Sequence, residues 1–243
     1  MSGIARWTDL RRFTPARVGL GRAGNGLPTR AHLDFLEAHA QARDAVHSAL
    51  DVPALQAALS PQPTVLVHSA APDRPTYLLR PDLGRRLAEA TLLPAAPCDL
   101  AIVIADGLCA TGVQHHAPLL LARVLPALRR TGTRIAPLVI AEQARVAIGD
   151  PIGALLGARA VAVLIGERPG LSAPHSLGAY LTWGPRPGRT DAERNCISNI
   201  RPEGFDYDAA AAKFLWLVGA MFDARLSGVA LKDEQPNAPL LGA

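Results

Sequence analysis

Two unbroken apolar runs, LAIVIA at residues 100–105 and AVAVLI at residues 160–165, frame the hydrophobic pattern of this chain. Neither run alternates with polar residues, so both predict strands buried on two faces, as in a parallel sheet. Shorter apolar runs at 65–68, 135–141 and 178–183 predict three more strands. Helical spacing fills the intervals. Pro81 and Asp82 suit the first turn of a helix through GRRLAEATLL, because proline lacks a donor the helix start does not need and aspartate suits its positive end. Further helices are expected over 117–130, from 151 to 156, and over 207–226. Strands alternating with helices in this way predict an α/β fold with a doubly wound, mostly parallel sheet.

Residues 1–60 carry a different pattern, with helices and turns but no strand. Thr29, just after Pro28, can cap a helix through AHLDFLEAHAQARDAVHSAL, and Asp51-Val52-Pro53 stops it. We read 1–60 as an N-terminal helical arm and 61–243 as the α/β domain, joined by the stiff Ser60-Pro61-Gln62-Pro63 connection. The tail from 232 to 243 reads as a loose end.

At 243 residues, 49% hydrophobic and 19% charged, the chain can bury a full core and is not disordered. Its net charge of +4 is spread along the chain, and only 5% of residues are aromatic, so no nucleic-acid partner is expected. No apolar stretch has the length of a membrane span, and the first residues lack the apolar core of a secretory signal. Cys98, Cys109 and Cys196 are isolated and odd in number, which predicts free thiols in a reducing cytoplasm.

Several candidate sites resolve on local context. Gly19-Leu20-Gly21-Arg22-Ala23-Gly24 spells a dinucleotide fingerprint, but a polar, proline-broken segment precedes it where a strand is required, so it reads as a flexible loop. His115 and His116 diverge by about 100° on a helix and cannot share one ion; no metal site is expected. Asp106-Gly107-Leu108 follows the LAIVIA strand at the sheet rim, where an acid either contacts a ligand or bonds the backbone of its own turn. Glu167 ends the AVAVLI run at the same rim, ahead of Arg168-Pro169-Gly170, where it either meets a ligand or forms a salt bridge with Arg168 or Arg145. Cys196 stands in a polar stretch, Arg194-Asn195-Cys196-Ile197-Ser198-Asn199, that reads as a turn suited to amide recognition.

Five blocks occur in order along the chain: Gly21–Gly24; Tyr77-Leu78-Leu79-Arg80-Pro81-Asp82-Leu83-Gly84-Arg85-Arg86-Leu87; Asp106-Gly107-Leu108; Gly166-Glu167-Arg168-Pro169-Gly170-Leu171; and Cys196-Ile197-Ser198-Asn199-Ile200. On these blocks the chain resembles the small subunit of ethanolamine ammonia-lyase, from about Phe13 to Leu226. The resemblance implies a Rossmann-like domain with a helical extension that packs on a larger, barrel-shaped subunit. It implies adenosylcobalamin, base-on, held between the two, and conversion of ethanolamine to acetaldehyde and ammonia by radical chemistry (EC 4.3.1.7). The family's cofactor contacts fall here on Val146, Glu167 and Cys196, with the interval from Glu167 to Cys196 one residue shorter than in the family pattern. The resemblance places no catalytic residue in this chain; the substrate site belongs to the large subunit. Ala173-Pro174-His175-Ser176-Leu177-Gly178 misses the aspartate of the DxHxxG cobalt-ligand motif, so His175 reads as a loop residue. A long leader that many relatives carry is nearly absent, which leaves a bacterial microcompartment open and the cytoplasm as the expected location. A non-enzymatic assembly or binding module on the same fold is the second reading.

Overall fold

The computed structural model describes residues 7–14, 16–89, 91, 93 and 97–235. Six strands form one sheet in the order β1-β3-β2-β4-β5-β6: β1 (Thr64–His68), β2 (Leu100–Ala105), β3 (Leu138–Glu142), β4 (Ala160–Gly166), β5 (Leu177–Trp183) and β6 (Arg194–Ile200). The first three pairings, β1 with β3, β3 with β2 and β2 with β4, are parallel. The last two, β4 with β5 and β5 with β6, are antiparallel. The result is a mixed α/β sheet whose larger part is parallel, as expected, and which ends in an antiparallel meander that was not.

Both central strands are buried along their whole length, in keeping with their unbroken apolar sequence. Leu100, Ile102 and Ile104 of β2 face a core closed by α4 (Ala110–Arg130) and α6 (Tyr207–Ala224). Ala101, Val103 and Ala105 face the opposite core, closed by α5 (Gly149–Leu155). Gly149 belongs there because a Cβ at that position would stand 2.4 Å from a Val163 methyl. Helix α4 starts seven residues earlier than expected, directly after the β2 turn, and accommodates Pro118 and Pro126.

Two further helices differ from the sequence expectation. The helix expected through GRRLAEATLL is not formed in the residues described: Leu83–Arg85 makes one 3-10 turn, and residues 90 and 92 lie outside the described residues. The helix sits upstream instead, as α3 (Arg74–Leu79), because Asp73 accepts the Thr76 amide at 2.8 Å and Pro75 occupies the first turn. Asp51 likewise caps a helix, α2 (Val52–Leu59), beyond the one it was expected only to stop, α1 (Thr29–His47). The expected tail falls partly at 236–243, outside the described residues.

The polar stretch read as a turn is the edge strand β6. Ile197 and Ile200 point into the α4/α6 core, while Arg194, buried, is neutralised by Asp150 of α5 through contacts of 2.6 and 2.8 Å and also donates to Thr182 at 3.0 Å. Pairing supplied by the tertiary fold makes a strand of residues whose polarity suggested a loop.

Helices α4 and α6 are tied by His116, whose Nδ1 lies 2.8 Å from the Tyr207 hydroxyl. Burial pushes the imidazole down to about 4 from its ordinary 6.5, and the neighbouring His115 adds to the shift. The unfolded chain therefore binds more protons than the folded one between these values. Stability should be full above pH 6.5 and should decline as the pH falls toward 4. Urea midpoints measured across that window should fall less steeply for His116→Gln than for the parent; identical slopes would refute the assignment.

Candidate functional site

The sheet's parallel strands deliver their carboxyl ends to one rim, and a cleft of about 450 Å³ opens there. Its lining comes from the β2 turn (Gly107, Leu108), the end of β4 (Ile165, Gly166, Glu167), the segment after β3 (Arg145, Val146) and Tyr77 and Tyr180.

Asp106 sets the rim's geometry from behind the residues that line the cleft. Its buried carboxylate accepts the amides of Gln143 and Ala144, each at 2.9 Å, and Arg74 stands 3.3 Å away. Burial pushes the Asp106 carboxyl up, while these donors and the Arg74 charge pull against that shift. The backbone amides that Asp106 accepts belong to the segment after β3, not to its own turn where the sequence placed them. Gly107 next to it has φ +58°, and a Cβ there would stand 2.2 Å from the Gly166 carbonyl oxygen. A Cβ on Gly166 would stand 2.1 Å from the Cys109 carbonyl oxygen. The floor of the cleft is thus two glycine backbones in direct apposition, joined by a Leu108 amide to Gly166 carbonyl bond of 3.0 Å.

Val146 begins the 3-10 turn Val146–Ile148 and presents a partly buried apolar side chain to the cleft. Glu167 is half-buried on the opposite wall. Its Oε2 accepts from the Ser176 hydroxyl at 2.6 Å and from the Asn199 amide of β6 at 2.9 Å. Its Oε1 accepts no hydrogen bond among the described residues. The carboxylate is therefore fixed by one oxygen and leaves the other as an acceptor.

Cys196 does not line this cleft. It stands on β6 opposite Tyr180 of β5, and the Tyr180 hydroxyl, itself at the cleft, lies beside its thiol. Desolvation pushes both groups up, and the Glu167 charge adds to both shifts. So Val146 and Glu167 share a cleft, and Cys196, exposed as a residue, adjoins it through Tyr180. Sequence reasoning assigned no role to Tyr77 or Tyr180 and placed Arg145 only as a salt-bridge partner of Glu167, a pair that is not formed among the described residues. Tyr77 lies in one of the quoted blocks, but its place between two arginines is a tertiary fact. The ring has the Arg145 guanidinium 4.3 Å from its centre and that of Arg74 at 4.8 Å, and its hydroxyl donates to the Ala144 carbonyl at 3.1 Å.

His175 occupies the loop between β4 and β5, its Nδ1 2.9 Å from the Thr111 hydroxyl and 3.6 Å from the Cys109 sulfur. Among the described residues no set of three or more His, Cys, Asp or Glu side chains is placed to hold a metal ion. The glycines at 19, 21 and 24, all with positive φ, lie in a loop before α1 with no strand ahead of them among the described residues, as a turn requires and a dinucleotide site does not.

The family model for the ethanolamine ammonia-lyase light chain matches residues 4–232. The chain belongs to this family. An ethanolamine ammonia-lyase small subunit from Azotobacter vinelandii is 56% identical over 247 residues, covering 98% of this chain and 92% of that protein. Those from Xanthomonas campestris pv. campestris and Ralstonia nicotianae are 54% and 55% identical, over 97% and 98% of this chain and 90% and 91% of theirs. The light-chain family thus covers both the sheet and the rim cleft. Among the described residues no helix is long and apolar enough to cross a membrane.

Asp106→Ala should release both amides and leave Arg74 buried without its counter-charge, costing about 3–5 kcal/mol in urea unfolding. A loss under about 1 kcal/mol would show that the carboxylate does not hold the rim.

Proposed function

We propose that this chain is the small subunit of an adenosylcobalamin-dependent ethanolamine ammonia-lyase, a cytoplasmic enzyme that converts ethanolamine to acetaldehyde and ammonia. In this reading residues 61–243 form a Rossmann-like unit that supplies one wall of the cobalamin site, residues 1–60 form an arm, and a larger barrel-shaped subunit supplies the other wall and the substrate site. The reading is carried by one observation: in a member of the light-chain family, Val146 and Glu167 meet in an open cleft at the carboxyl rim, where ligands of open α/β sheets bind.

The residues present suit such a group. A corrin carries many amide side chains, and the unoccupied Oε1 of Glu167 can accept from one of them while Oε2 stays anchored to Ser176 and Asn199. Val146 and Ile165 offer apolar contact, and Cys196 with Tyr180 extends the wall toward the sheet edge. A cleft of about 450 Å³ takes only part of so large a molecule, which fits a site shared between two chains. When bound, the cofactor supplies carbon–cobalt bond cleavage and the radical chemistry. This chain's residues hold and orient it, and none of them is assigned a proton-transfer step.

Co-expressed with the large subunit and given adenosylcobalamin, the chain should be required for release of ammonia and acetaldehyde from ethanolamine. Full activity of the large subunit alone would overturn the reading. In the reconstituted complex, Glu167→Gln should weaken adenosylcobalamin binding by roughly tenfold, the worth of one charge-assisted hydrogen bond, with the ethanolamine KM unchanged at saturating cofactor. Unaltered cofactor affinity would remove Glu167 from the site.

A further inference from the structure

Arg145 stands at the cleft with an unmatched charge. Its backbone is fixed by an amide bond to the Gly84 carbonyl at 2.8 Å, and its guanidinium lies on the Tyr77 ring. Its Nε is buried and has no partner, and among the described residues no carboxylate pairs with it. The other arginine on the Tyr77 ring, Arg74, also has one buried unpartnered nitrogen, its Nη2, but its charge is matched. Arg74 pairs with Asp106 and donates to the carbonyls of Val46 and Gly107 at 2.8 Å each. The one buried carboxylate near the ring is therefore already engaged, and Arg145 is left with none.

The cleft's remaining charges do not cancel this one. Arg168 adds a second cation at the exposed rim, against the single carboxylate of Glu167, which already serves Ser176 and Asn199. A partly buried guanidinium without a counter-ion is costly, and an anion entering the cleft would offset that cost. The planar fork of N–H donors matches a phosphate group, which it can bind through two parallel hydrogen bonds.

We propose that Arg145 is the anion-binding residue of this cleft and that its ligand is a phosphodiester, that of the cofactor's nucleotide loop; this rests on the cobalamin reading above. The corrin's amides are neutral, and the phosphodiester is the anionic group a base-on cobalamin offers. Arg145 then positions the nucleotide loop, while the neighbouring Val146 and the opposite Glu167 contact the macrocycle side.

Equilibrium dialysis of the reconstituted complex tests this without recourse to turnover. Three probes are compared: adenosylcobalamin; adenosylcobinamide, which lacks the nucleotide loop; and adenosylcobinamide methyl phosphate, which keeps a phosphodiester but no base. The parent complex should bind the methyl phosphate form at least tenfold more tightly than adenosylcobinamide. Arg145→Gln should lose roughly 10- to 100-fold for the two phosphodiester-bearing probes and be unchanged for adenosylcobinamide, with Arg145→Lys intermediate. The parent's affinity for adenosylcobalamin should also fall more steeply with salt than that of Arg145→Gln. Equal losses on all three probes would show a merely structural role and overturn the proposal, as would no loss on any. Inorganic phosphate that binds the parent while the two cobinamides bind equally would reassign the site to a free anion. Should Arg145→Gln fail to assemble, the Lys variant and the parent's preference between the two cobinamides decide the matter. A parent complex that takes up none of the three corrinoids would fail the cobalamin reading itself, whereas loss of the Arg145 effect alone leaves that reading standing.

Discussion

The buried carboxylate of Asp106 sits at the end of β2 and takes the amides that immediately follow β3. Gln143 is there held at φ 51°, an uncommon conformation for a residue with a side chain, and the bond from its amide to Asp106 is what the tertiary structure sets against that strain. Because the chain leaves β3 at this fixed angle, Arg145 and Val146 arrive at the cleft instead of continuing along the strand. Arg74 closes the arrangement from α3 by bonding Asp106 and the Gly107 carbonyl, so three separate segments meet around one acid. Removing charge from such a cluster leaves its partners desolvated, which is why its members depend on one another more than their separate bond strengths suggest.

The same rim shows why two short sequence blocks travel together. Asp106-Gly107-Leu108 and Gly166-Glu167 belong to adjacent parallel strands whose ends cross at a distance only glycine permits. A side chain on either glycine would drive the β2 and β4 ends apart and move Glu167 away from Asn199. Glu167 adds to the β4–β5 ladder a bond from the end of β4 to the edge strand, since its carboxylate accepts the Asn199 amide of β6. Cleft geometry and sheet closure are therefore one problem, solved by the same few residues.

Much of the fold was legible because burial on two faces writes an unmistakable pattern. LAIVIA and AVAVLI could only be central strands, and they are. What the pattern hid were elements whose polarity is compensated at long range. Arg194 reads as surface until Asp150 is placed against it, so β6 looked like a loop. Asp73 and Asp51 each sit before a proline, a signature that serves a helix start or a stop equally well, and the structure uses both as starts. For the site, the rim position of Glu167 followed from strand logic. The resemblance supplied Val146 and Cys196, which no local rule singles out. The meeting of Tyr77 and Arg145 was invisible for a simpler reason: it is set by the turn after β3, which depends on an acid some forty residues earlier.

The charge distribution around Tyr77 gives the arrangement its direction. Two guanidiniums lie against one ring, yet they differ: Arg74 pairs with Asp106 and donates to carbonyls, its Nη2 alone lacking a partner, and Arg145, which lines the cleft, pairs with no carboxylate among the described residues. The ring fixes the plane of both groups, and its hydroxyl, bonded to the Ala144 carbonyl, fixes the ring. Tyr77 thereby passes the rigidity of the Asp106 cluster on to Arg145. An arginine held in this way loses little side-chain freedom when an anion arrives, so more of the electrostatic gain is expressed as affinity. The asymmetry between the two arginines follows directly from the placement of a single aspartate: the acid that builds the rim neutralises the structural cation and leaves the one beside Val146 free for a ligand.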